Sequence, residues 1–313
     1  MTALLSARDL KKHFGSVRAL DGVTFDIEEG VTGLLGANGA GKSTTLKLFL
    51  GLLRPDSGSA DFLAVDGGDP VMARQRIGYM PEHDCLPDAL PAAEFLTLMA
   101  EVSGLPRVAA RVRATDTLRH VGLFEERYRP IGTYSTGMKQ RVKLAQALVH
   151  DPLMILLDEP TAGLDPIGRQ EMLDLIRSTG RDFGISILLS SHLMGDVERT
   201  CERVIVLDAG SVMRTGTVAG FLEETETLII EVSEGEQALA TALAACGLTT
   251  KVDGRTLILD GASGDDYDTV RDAVIESGAL LYRLAPERHS LTEIFERPPD
   301  ESAAEETAEG AEA

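Results

Sequence analysis

The chain has 313 residues, 43% of them apolar, and a net charge of −20, so it is long enough for one large domain or two smaller ones. An acidic balance of this size disfavours nucleic acid as a partner, because binding a phosphate backbone requires a basic face. Cys85, Cys201 and Cys246 are scattered without C-x-x-C spacing, which argues against a zinc site or a disulfide framework and favours a reducing compartment.

Two further patterns concern the cell compartment. No apolar run approaches the ~20 residues that a bilayer span needs, and the N-terminus lacks a secretory signal pattern, so we expect any membrane contact to go through a partner. Arg outnumbers Lys, 23 to seven. GC-rich codon usage would explain this ratio. The net acidity also suits a salt-adapted cytoplasm, in which excess carboxylates keep the surface soluble, and whether the chain is salt-adapted stays open.

The chain opens with two predicted strands, Leu4 to Leu10 and Val23 to Ile27. Phe14 lies between them. Its ring could pack in the core, or it could stack on an adenine ring. The local pattern leaves both interpretations open.

A phosphate-binding loop is predicted at Gly36-Ala37-Asn38-Gly39-Ala40-Gly41-Lys42-Ser43-Thr44, which fits the pattern G-x-x-x-x-G-K-S/T. It follows a predicted buried strand, Val31 to Leu35, and precedes a predicted helix, Thr45 to Leu53. The glycines allow backbone N–H groups to point at phosphate oxygens, beside the positive end of the helix. Lys42 would reach the β- and γ-phosphates, and the Ser43 hydroxyl would bind Mg²⁺.

The next stretch is interpreted as a helical insertion in an α/β scaffold. Turn residues over Arg54 to Gly58 are followed by Arg76 to Glu82, which reads as a strand leading into a loop. From Pro91 to His150 the apolar residues recur at helical spacing. Three helices are predicted there, over Pro91 to Ser103, Arg107 to Val121 and Thr136 to Val149.

A second candidate site begins where the apolar strand Leu153 to Leu157 ends, at Asp158-Glu159-Pro160. Open α/β sheets place ligand chemistry at the carboxyl ends of their strands. Asp158 therefore fits a carboxylate directed at Mg²⁺, and Glu159 fits a base that activates water.

Another strand is predicted at the same edge of the sheet. After a helix over Pro166 to Ser178, the apolar run Ile185 to Leu189 ends in Ser190-Ser191-His192. His192 is thus expected beside Asp158. A β-hairpin over Val204 to Arg214 then closes the first domain.

The remainder of the chain has a βαββαβ pattern, which predicts a small α+β domain of ferredoxin-like fold. Its strands are Leu228 to Val232, Thr249 to Val252, Thr256 to Leu259 and Leu280 to Leu284, and its helices are Gln237 to Cys246 and Asp265 to Ser277. From Pro298 onwards the tail has six acids and no base, which predicts disorder. The predicted domains are therefore 1–222, 226–297 and an acidic tail, 298–313.

The order of strand, phosphate loop, helical arm, Asp-Glu strand and His strand resembles the nucleotide-binding subunit of ABC transporters, over about Leu4 to Leu222. The discriminating motif is Tyr134-Ser135-Thr136-Gly137-Met138-Lys139-Gln140-Arg141, which resembles the family signature L-S-G-G-Q and departs from it at Thr136 and Met138. Ala162-Gly163-Leu164-Asp165 matches the loop after the Asp-Glu strand. Ser290 to Glu296 resembles the closing helix of drug and lantibiotic exporter ATPases.

The resemblance implies roles for single residues. Phe14 would stack on adenine, His192 would contact the γ-phosphate, and Asp165 would signal across a dimer. Ser135 and Gly137, at a helix start, would bind a γ-phosphate through a hydroxyl, N–H groups and the helix dipole.

Glu82 departs from the family pattern. It occupies the place of a glutamine in the loop that touches Mg²⁺ and the membrane subunit. A carboxylate there can bind the metal but adds a negative charge. Glu82, Ser43 and Asp158 are therefore the candidate metal ligands.

The expected fold is an α/β P-loop NTPase of ABC type, with a helical subdomain over about 83–150. The implied function is an ATPase that closes as a homodimer around two ATP molecules with Mg²⁺ and powers a separate membrane permease, from the cytoplasmic face of the membrane. The C-terminal resemblance favours export. An importer ATPase and a soluble ABC-type ATPase remain alternatives, and the C-terminal domain is expected to be regulatory, dimer-stabilising or passive.

Overall fold

The computed structural model describes residues 3–62, 70–221, 224–261 and 266–288. The chain divides into two compact units, Met1–Val218 and Ala219–Ala313. Within the described ranges no helix is long and apolar enough to cross a bilayer. The predicted closing helix from Ser290 to Glu296 and the predicted disorder from Pro298 lie outside the described residues, and the limits proposed for the three domains stay predictions.

The first unit contains an α/β scaffold. Its strands are β1 (Ala3–Phe14), β2 (Val17–Glu28), β3 (Val31–Leu35), β4 (Ser57–Phe62), β5 (Ile77–Met80), β6 (Met154–Asp158), β7 (Ser186–Ser191), β8 (Arg203–Asp208) and β9 (Ser211–Thr217). Its helices are α1 (Lys42–Phe49), α2 (Pro70–Arg76), α3 (Ala92–Val102), α4 (Arg107–His120), α5 (Thr136–Leu148), α6 (Pro166–Phe183), α7 (Met194–Thr200) and α8 (Val218–Phe221), of which the last continues into the second unit.

Six strands form the central sheet, in the order β5-β6-β7-β3-β8-β9. The first five pair in parallel, and β9 pairs antiparallel with β8 as the predicted hairpin. Strands β3, β6 and β7 are buried along their whole length, as continuous apolar runs in a parallel sheet require. Their carboxyl ends lie side by side, at the edge where ligand sites form in open α/β sheets.

An antiparallel sheet in the order β2-β1-β4 shares a core with the central sheet. Leu5 and Leu20 from the antiparallel sheet, Leu46 from α1, and Leu156 and Ile205 from the central sheet belong to one buried cluster. Helix α1 therefore lies between the two sheets, which fixes the start of that helix relative to the strand ends.

The predicted helical insertion is present as α3, α4 and α5. Pro91 and Pro106, both with extended backbones, precede α3 and α4. Strand β5 lies directly against α5, since a Cβ on Gly78 would stand only 2.0 Å from the Ala147 carbonyl oxygen. The insertion is thereby held against the edge of the central sheet.

Several element limits differ from the sequence prediction. The helix predicted to reach Leu53 ends at Phe49, because the chain turns at Gly51 with φ +64°. Helix α6 continues five residues past the predicted Ser178, until Gly184 ends it in the left-handed conformation. Short elements were missed: β4 begins at Ser57, inside the predicted turn, and α2 and α7 have seven residues each, too few for a periodic signal.

The second unit has the predicted ferredoxin-like order. Its elements are β10 (Glu224–Val232), α9 (Glu236–Ala245), β11 (Thr250–Asp253), β12 (Thr256–Leu259), α10 (Asp266–Ser277) and β13 (Leu281–Arg288). The strands lie in the order β11-β12-β10-β13, and every neighbouring pair is antiparallel. Alternate residues of β10, Leu228, Ile230 and Val232, pack against Leu239 of α9 and Val270 of α10. The predicted fold class is confirmed.

Candidate nucleotide-binding site

The phosphate loop joins β3 to α1, and close packing explains its glycines. A Cβ on Gly36 would lie 2.5 Å from the Leu207 carbonyl oxygen. Gly41, immediately before the first residue of α1, has φ +105°, and a Cβ there would lie 2.6 Å from the Ala19 carbonyl oxygen. The loop backbone therefore lies too close to its neighbours for side chains at these positions.

The outer curve of the loop is exposed. Asn38 and Gly39 face solvent, and Gly39 has φ +88°. Ser43 and Thr44 follow in the first turn of α1 and are partly buried. Unpaired N–H groups at the start of a helix, together with its dipole, make such a position a ready anion site.

Lys42 is buried and folds back over the loop. Its Nζ donates hydrogen bonds to the carbonyl oxygens of Gly36, at 2.8 Å, and Ala37, at 3.2 Å. The same Nζ lies 3.2 Å from Glu159 Oε1. This ion pair lacks hydrogen-bond alignment, so Oε1 is a buried oxygen without a hydrogen-bond partner among the described residues. A buried acceptor of this kind needs a partner, and a water is the natural one.

Asp158 ends β6 next to the loop. Its buried Oδ1 accepts hydrogen bonds from Ser43 Oγ, at 3.0 Å, and from Ser190 Oγ, at 2.7 Å. The Ser190 contact follows from strand register, since Asp158 pairs with Ser190 between β6 and β7. Burial, and then the charge of Asp158, raises the pKa of the nearby Tyr79 hydroxyl, which stays protonated.

Glu159 follows in a strained conformation, with φ +47°. Its N–H is held by Ser190, whose Oγ lies 3.1 Å away. Its Oε2 lies 2.9 Å from His192 Nδ1, while the His192 ring remains partly exposed. Non-glycine residues with positive φ are concentrated at functional sites, where the surroundings hold them. The structure thus brings together Lys42, Ser43, Asp158, Glu159 and His192.

Ser43 and Asp158 fit a magnesium ion. Both present oxygen atoms beside the phosphate loop, and Mg²⁺ takes one or two protein oxygens while phosphates and waters supply the rest. The described part of the chain contains no group of three or more His, Cys, Asp or Glu that could hold a metal alone. A Mg²⁺ site here therefore depends on nucleotide phosphates.

Glu82 stands apart from these two oxygens. Its side chain is exposed, and within the described ranges no hydrogen bond or ion pair joins it to Ser43 or Asp158. Its backbone carbonyl oxygen instead accepts a hydrogen bond from Lys143 Nζ at 2.8 Å. A metal contact by the Glu82 carboxylate stays a prediction.

The signature residues form a second cluster. Ser135 is the N-cap of α5 and accepts a hydrogen bond from Met138 N–H at 3.3 Å, and Asp165 caps α6 in the same way at 2.7 Å from Gly168 N. Ser135, Gly137 and Asp165 line one open groove of about 700 Å³, whose lining includes no residue of the phosphate loop among the described residues. The predicted site residues therefore form two separate clusters within the described chain.

Phe14 lies at the end of β1 and is 48% exposed, so the core-packing interpretation is wrong. The ammonium of Lys12 lies 5.6 Å from the ring centroid. Stacking on adenine remains a prediction for this exposed ring.

Sequence reasoning missed two residues of the site. Ser190 binds both Asp158 and Glu159, and its signal was present in the Ser-Ser-His run that follows an apolar strand. Tyr79 neighbours Asp158 across the β5–β6 pair, and no local pattern marked it.

A parallel sheet with a phosphate loop, an Asp-Glu strand end and a helical insertion defines the class of ATP-binding cassettes. A family model described as ABC transporter matches residues 20–162. The linearmycin resistance ATP-binding protein LnrL of Bacillus subtilis (strain 168) is 37% identical over 216 residues, which are 68% of this chain and 69% of LnrL.

Two longer matches agree. The daunorubicin/doxorubicin resistance ATP-binding protein DrrA of Streptomyces peucetius is 31% identical over an alignment of 324 residues, covering 98% of this chain and 97% of DrrA. A dimeric structure of a post-hydrolysis state of the ATP-binding cassette MJ0796, bound to ADP and Pi, is 26% identical with a TM-score of 0.61, covering 69% of this chain and 100% of that one. The chain belongs to the ABC transporter ATP-binding proteins, as the resemblance predicted, and is an ATP-binding subunit.

Proposed function

We propose that this subunit hydrolyses ATP with Mg²⁺ between two copies of itself and thereby powers a separate membrane permease. The observation that carries the proposal is the separation of the two half-sites within one chain. The phosphate loop faces Asp158 and Glu159, whereas Ser135 lines a different groove. A second copy related by two-fold symmetry would bring each phosphate loop opposite the other chain's Ser135.

The proposed chemistry uses groups already in contact. Loop N–H groups and Lys42 bind the β- and γ-phosphates, and Glu159 Oε1 accepts the proton of the attacking water. The water oxygen bonds to the γ-phosphorus while the bond to the ADP oxygen breaks. His192, 2.9 Å from Oε2, fixes the orientation of the carboxylate. Mg²⁺ held by Ser43 and Asp158 would neutralise charge on the β- and γ-phosphates.

The homodimer is tested with Glu159→Gln, which retains the shape of the site but lacks the base. We expect this variant to bind ATP and, in size-exclusion chromatography with ATP and Mg²⁺, to elute as a dimer that persists. Wild type should return to monomer as it consumes ATP, and Ser135→Arg should stay monomeric because it obstructs the γ-phosphate. A Glu159→Gln chain that binds ATP but never dimerises contradicts the two-copy site.

A groove on the helical insertion supports a permease contact. Leu98 of α3 and Tyr128, 46% and 69% exposed, line an open groove of about 600 Å³ together with Arg107, Arg111 and Glu94. Exposed apolar side chains rimmed by charges are typical of protein interfaces. We assign this groove to a cytoplasmic helix of the permease, with an apolar face for Leu98 and Tyr128.

The groove assignment is tested by co-purification. Leu98→Asp should abolish recovery of the tagged permease while the ATPase activity of the isolated chain is retained. Ile275→Asp, at an exposed position of α10, is the matched control and should leave recovery unchanged. Full recovery of the permease with Leu98→Asp would contradict this assignment and show that the permease binds another surface.

The proposal also includes the direction of transport and the location of the subunit: it acts at the cytoplasmic face of the membrane and powers export. LnrL and DrrA are named as resistance proteins, which supports movement of a substrate out of the cell. In inside-out vesicles that contain the permease, ATP should drive substrate into the lumen. Uptake that requires an external binding protein would identify an importer instead.

A further inference from the structure

Lys143 of α5 is a buried cation that the proposed mechanism does not use. This residue is 3% exposed, and burial lowers its pKa. Its Nζ donates hydrogen bonds to the backbone carbonyl oxygens of Pro81, at 2.9 Å, and Glu82, at 2.8 Å. Within the described residues no carboxylate lies within ion-pair distance of it. Burying an ammonium is costly, and these two hydrogen bonds, together with the more distant charges of Asp84, Glu82 and Asp158, stabilise it there.

Lys139, one helical turn earlier, contacts the same loop. Its Nζ lies 3.4 Å from Asp84 Oδ2 and 3.1 Å from Asp88 Oδ1. Ser135, Lys139 and Lys143 are spaced by four residues and so share one face of the helix. The segment from Pro81 to Asp88, here called the Glu82 loop, therefore lies along the face whose first turn carries Ser135.

The two lysines differ in what they hold. Lys139 contacts exposed side chains, and surface ion pairs of this kind contribute little. Lys143 holds the backbone at Glu82 itself, from inside the protein, through charge-assisted hydrogen bonds. Removing its ammonium would leave two carbonyl oxygens without their partner and free the residue that carries the carboxylate.

We propose that Lys143 is a positioning residue that fixes Glu82 relative to the magnesium ligands Ser43 and Asp158 and makes the Glu82 loop move with the signature helix. This inference rests on the proposed function for its link to Mg²⁺. The hydrogen bonds from Lys143 to the Glu82 loop do not depend on the proposed function, because they form within a single chain. If Lys143 served stability alone, its loss would change the requirements for Mg²⁺ and for ATP alike. If it positions Glu82, its loss should change the Mg²⁺ requirement and leave the KM for ATP nearly unchanged.

The first test measures how readily the Glu82 loop opens. Glutamyl endopeptidase cleaves after Glu82 only when the loop opens, and mass spectrometry follows the fragment that ends there. With Lys143→Met, which retains most of the apolar stem but lacks the ammonium, we expect cleavage about tenfold faster or more. With the control Lys139→Met we expect less than about a threefold change. Cleavage of Lys143→Met at the wild-type rate overturns the proposal, whether or not the chain hydrolyses ATP.

The second test measures how the loss of Lys143 changes the Mg²⁺ requirement for ATP hydrolysis. Displaced supporting residues typically cost 10- to 100-fold in metal affinity, so Lys143→Met should raise the Mg²⁺ concentration for half-maximal hydrolysis by about tenfold or more. The KM for ATP at saturating Mg²⁺ should change by less than about twofold. In a Glu82→Ala background the Lys143→Met effect should shrink, because Glu82 then has no carboxylate for Lys143 to position.

Two outcomes separate the inference from the proposed function. An unchanged Mg²⁺ requirement in an active, folded Lys143→Met chain overturns the positioning role. Absence of hydrolysis by wild type overturns the proposed function and leaves the cleavage test to decide whether Lys143 holds the loop. If Lys143→Met does not fold, Lys143→Gln, which is too short to reach both carbonyls, replaces it with the same expectations.

Discussion

Glu159 combines a strained backbone, an ion pair with Lys42 and a buried oxygen without a hydrogen-bond partner among the described residues. Glu159→Gln removes the base and retains the shape, so ATP hydrolysis should fall roughly 10²- to 10⁴-fold. Phosphate release with saturating ATP and Mg²⁺ measures this. Glu125→Gln, at an exposed position of the helical insertion, should hydrolyse ATP like wild type. A Glu159→Gln chain as fast as wild type would show that Glu159 is not the base.

Contiguous motifs could be predicted residue by residue, and contacts made by folding could not. Lys42 and Ser43 belong to a contiguous phosphate-loop motif, so their roles could be predicted from the sequence pattern itself. Ser190 lies 32 positions from Asp158, and its hydrogen bond depends on the register of β6 and β7. Lys143 lies 61 positions from Glu82, and only the packing of α5 against the loop reveals that contact.

At the scale of elements, the approach of β5 to α5 gives a sharp prediction. Gly78→Ala would set a Cβ 2.0 Å from the Ala147 carbonyl oxygen, so it should lower the free energy of unfolding by about 1–3 kcal/mol or more. Gly195→Ala is the matched control in α7, where a Cβ meets nothing within 4 Å. It should stabilise the chain by up to about 1 kcal/mol. Urea unfolding checks both, and equal stability of the two variants would contradict the packing.

The helical insertion should also respond to pH. Burial lowers the pKa of His120, whose Nε2 lies 2.8 Å from Thr179 Oγ1, and of His150, whose Nε2 lies 3.3 Å from the Ile77 carbonyl oxygen. Above pH ~6.5 both rings are neutral in the folded and unfolded states. Below it the unfolded chain binds protons first, so stability should fall as pH decreases towards the folded pKa values.

Urea midpoints between pH 7.5 and 5.5 test this dependence. The double variant His120→Gln, His150→Gln should lose most of the slope in that window. A wild-type midpoint that is flat with pH, or a slope that the double variant retains, would contradict the assignment.

Long periodic elements were predictable because burial imposes their pattern. The three insertion helices, α3, α4 and α5, begin and end within two residues of their predicted limits, since their apolar faces must meet a core. The short helix α7 was missed, because only Asp196, Val197 and Thr200 of its seven residues are buried. Such an element is stabilised by tertiary contacts, which cannot be predicted from the local sequence pattern.

At the scale of the whole molecule, charge governs the response to salt. A net charge of −20 opposes the folded state through self-repulsion, and molar salt reduces the screening length to about 3 Å. If the acidity reflects a salt-adapted cytoplasm, the melting temperature should rise from dilute buffer to molar KCl. Equal or lower stability in KCl would leave codon usage as the explanation of the Arg bias.

The central claim is that two chains share each ATP site. Lys42→Ala damages the phosphate loop, and Ser135→Arg damages the signature half-site. A mixed dimer of the two variants has one site with both defects and one site with none, so hydrolysis should return on mixing, although neither variant hydrolyses ATP alone. Lys42 and Glu159 belong to the same half-site, 3.2 Å apart. Mixing Lys42→Ala with Glu159→Gln therefore damages both sites and should restore nothing. A Lys42→Ala and Ser135→Arg mixture as inactive as its components would contradict the shared site.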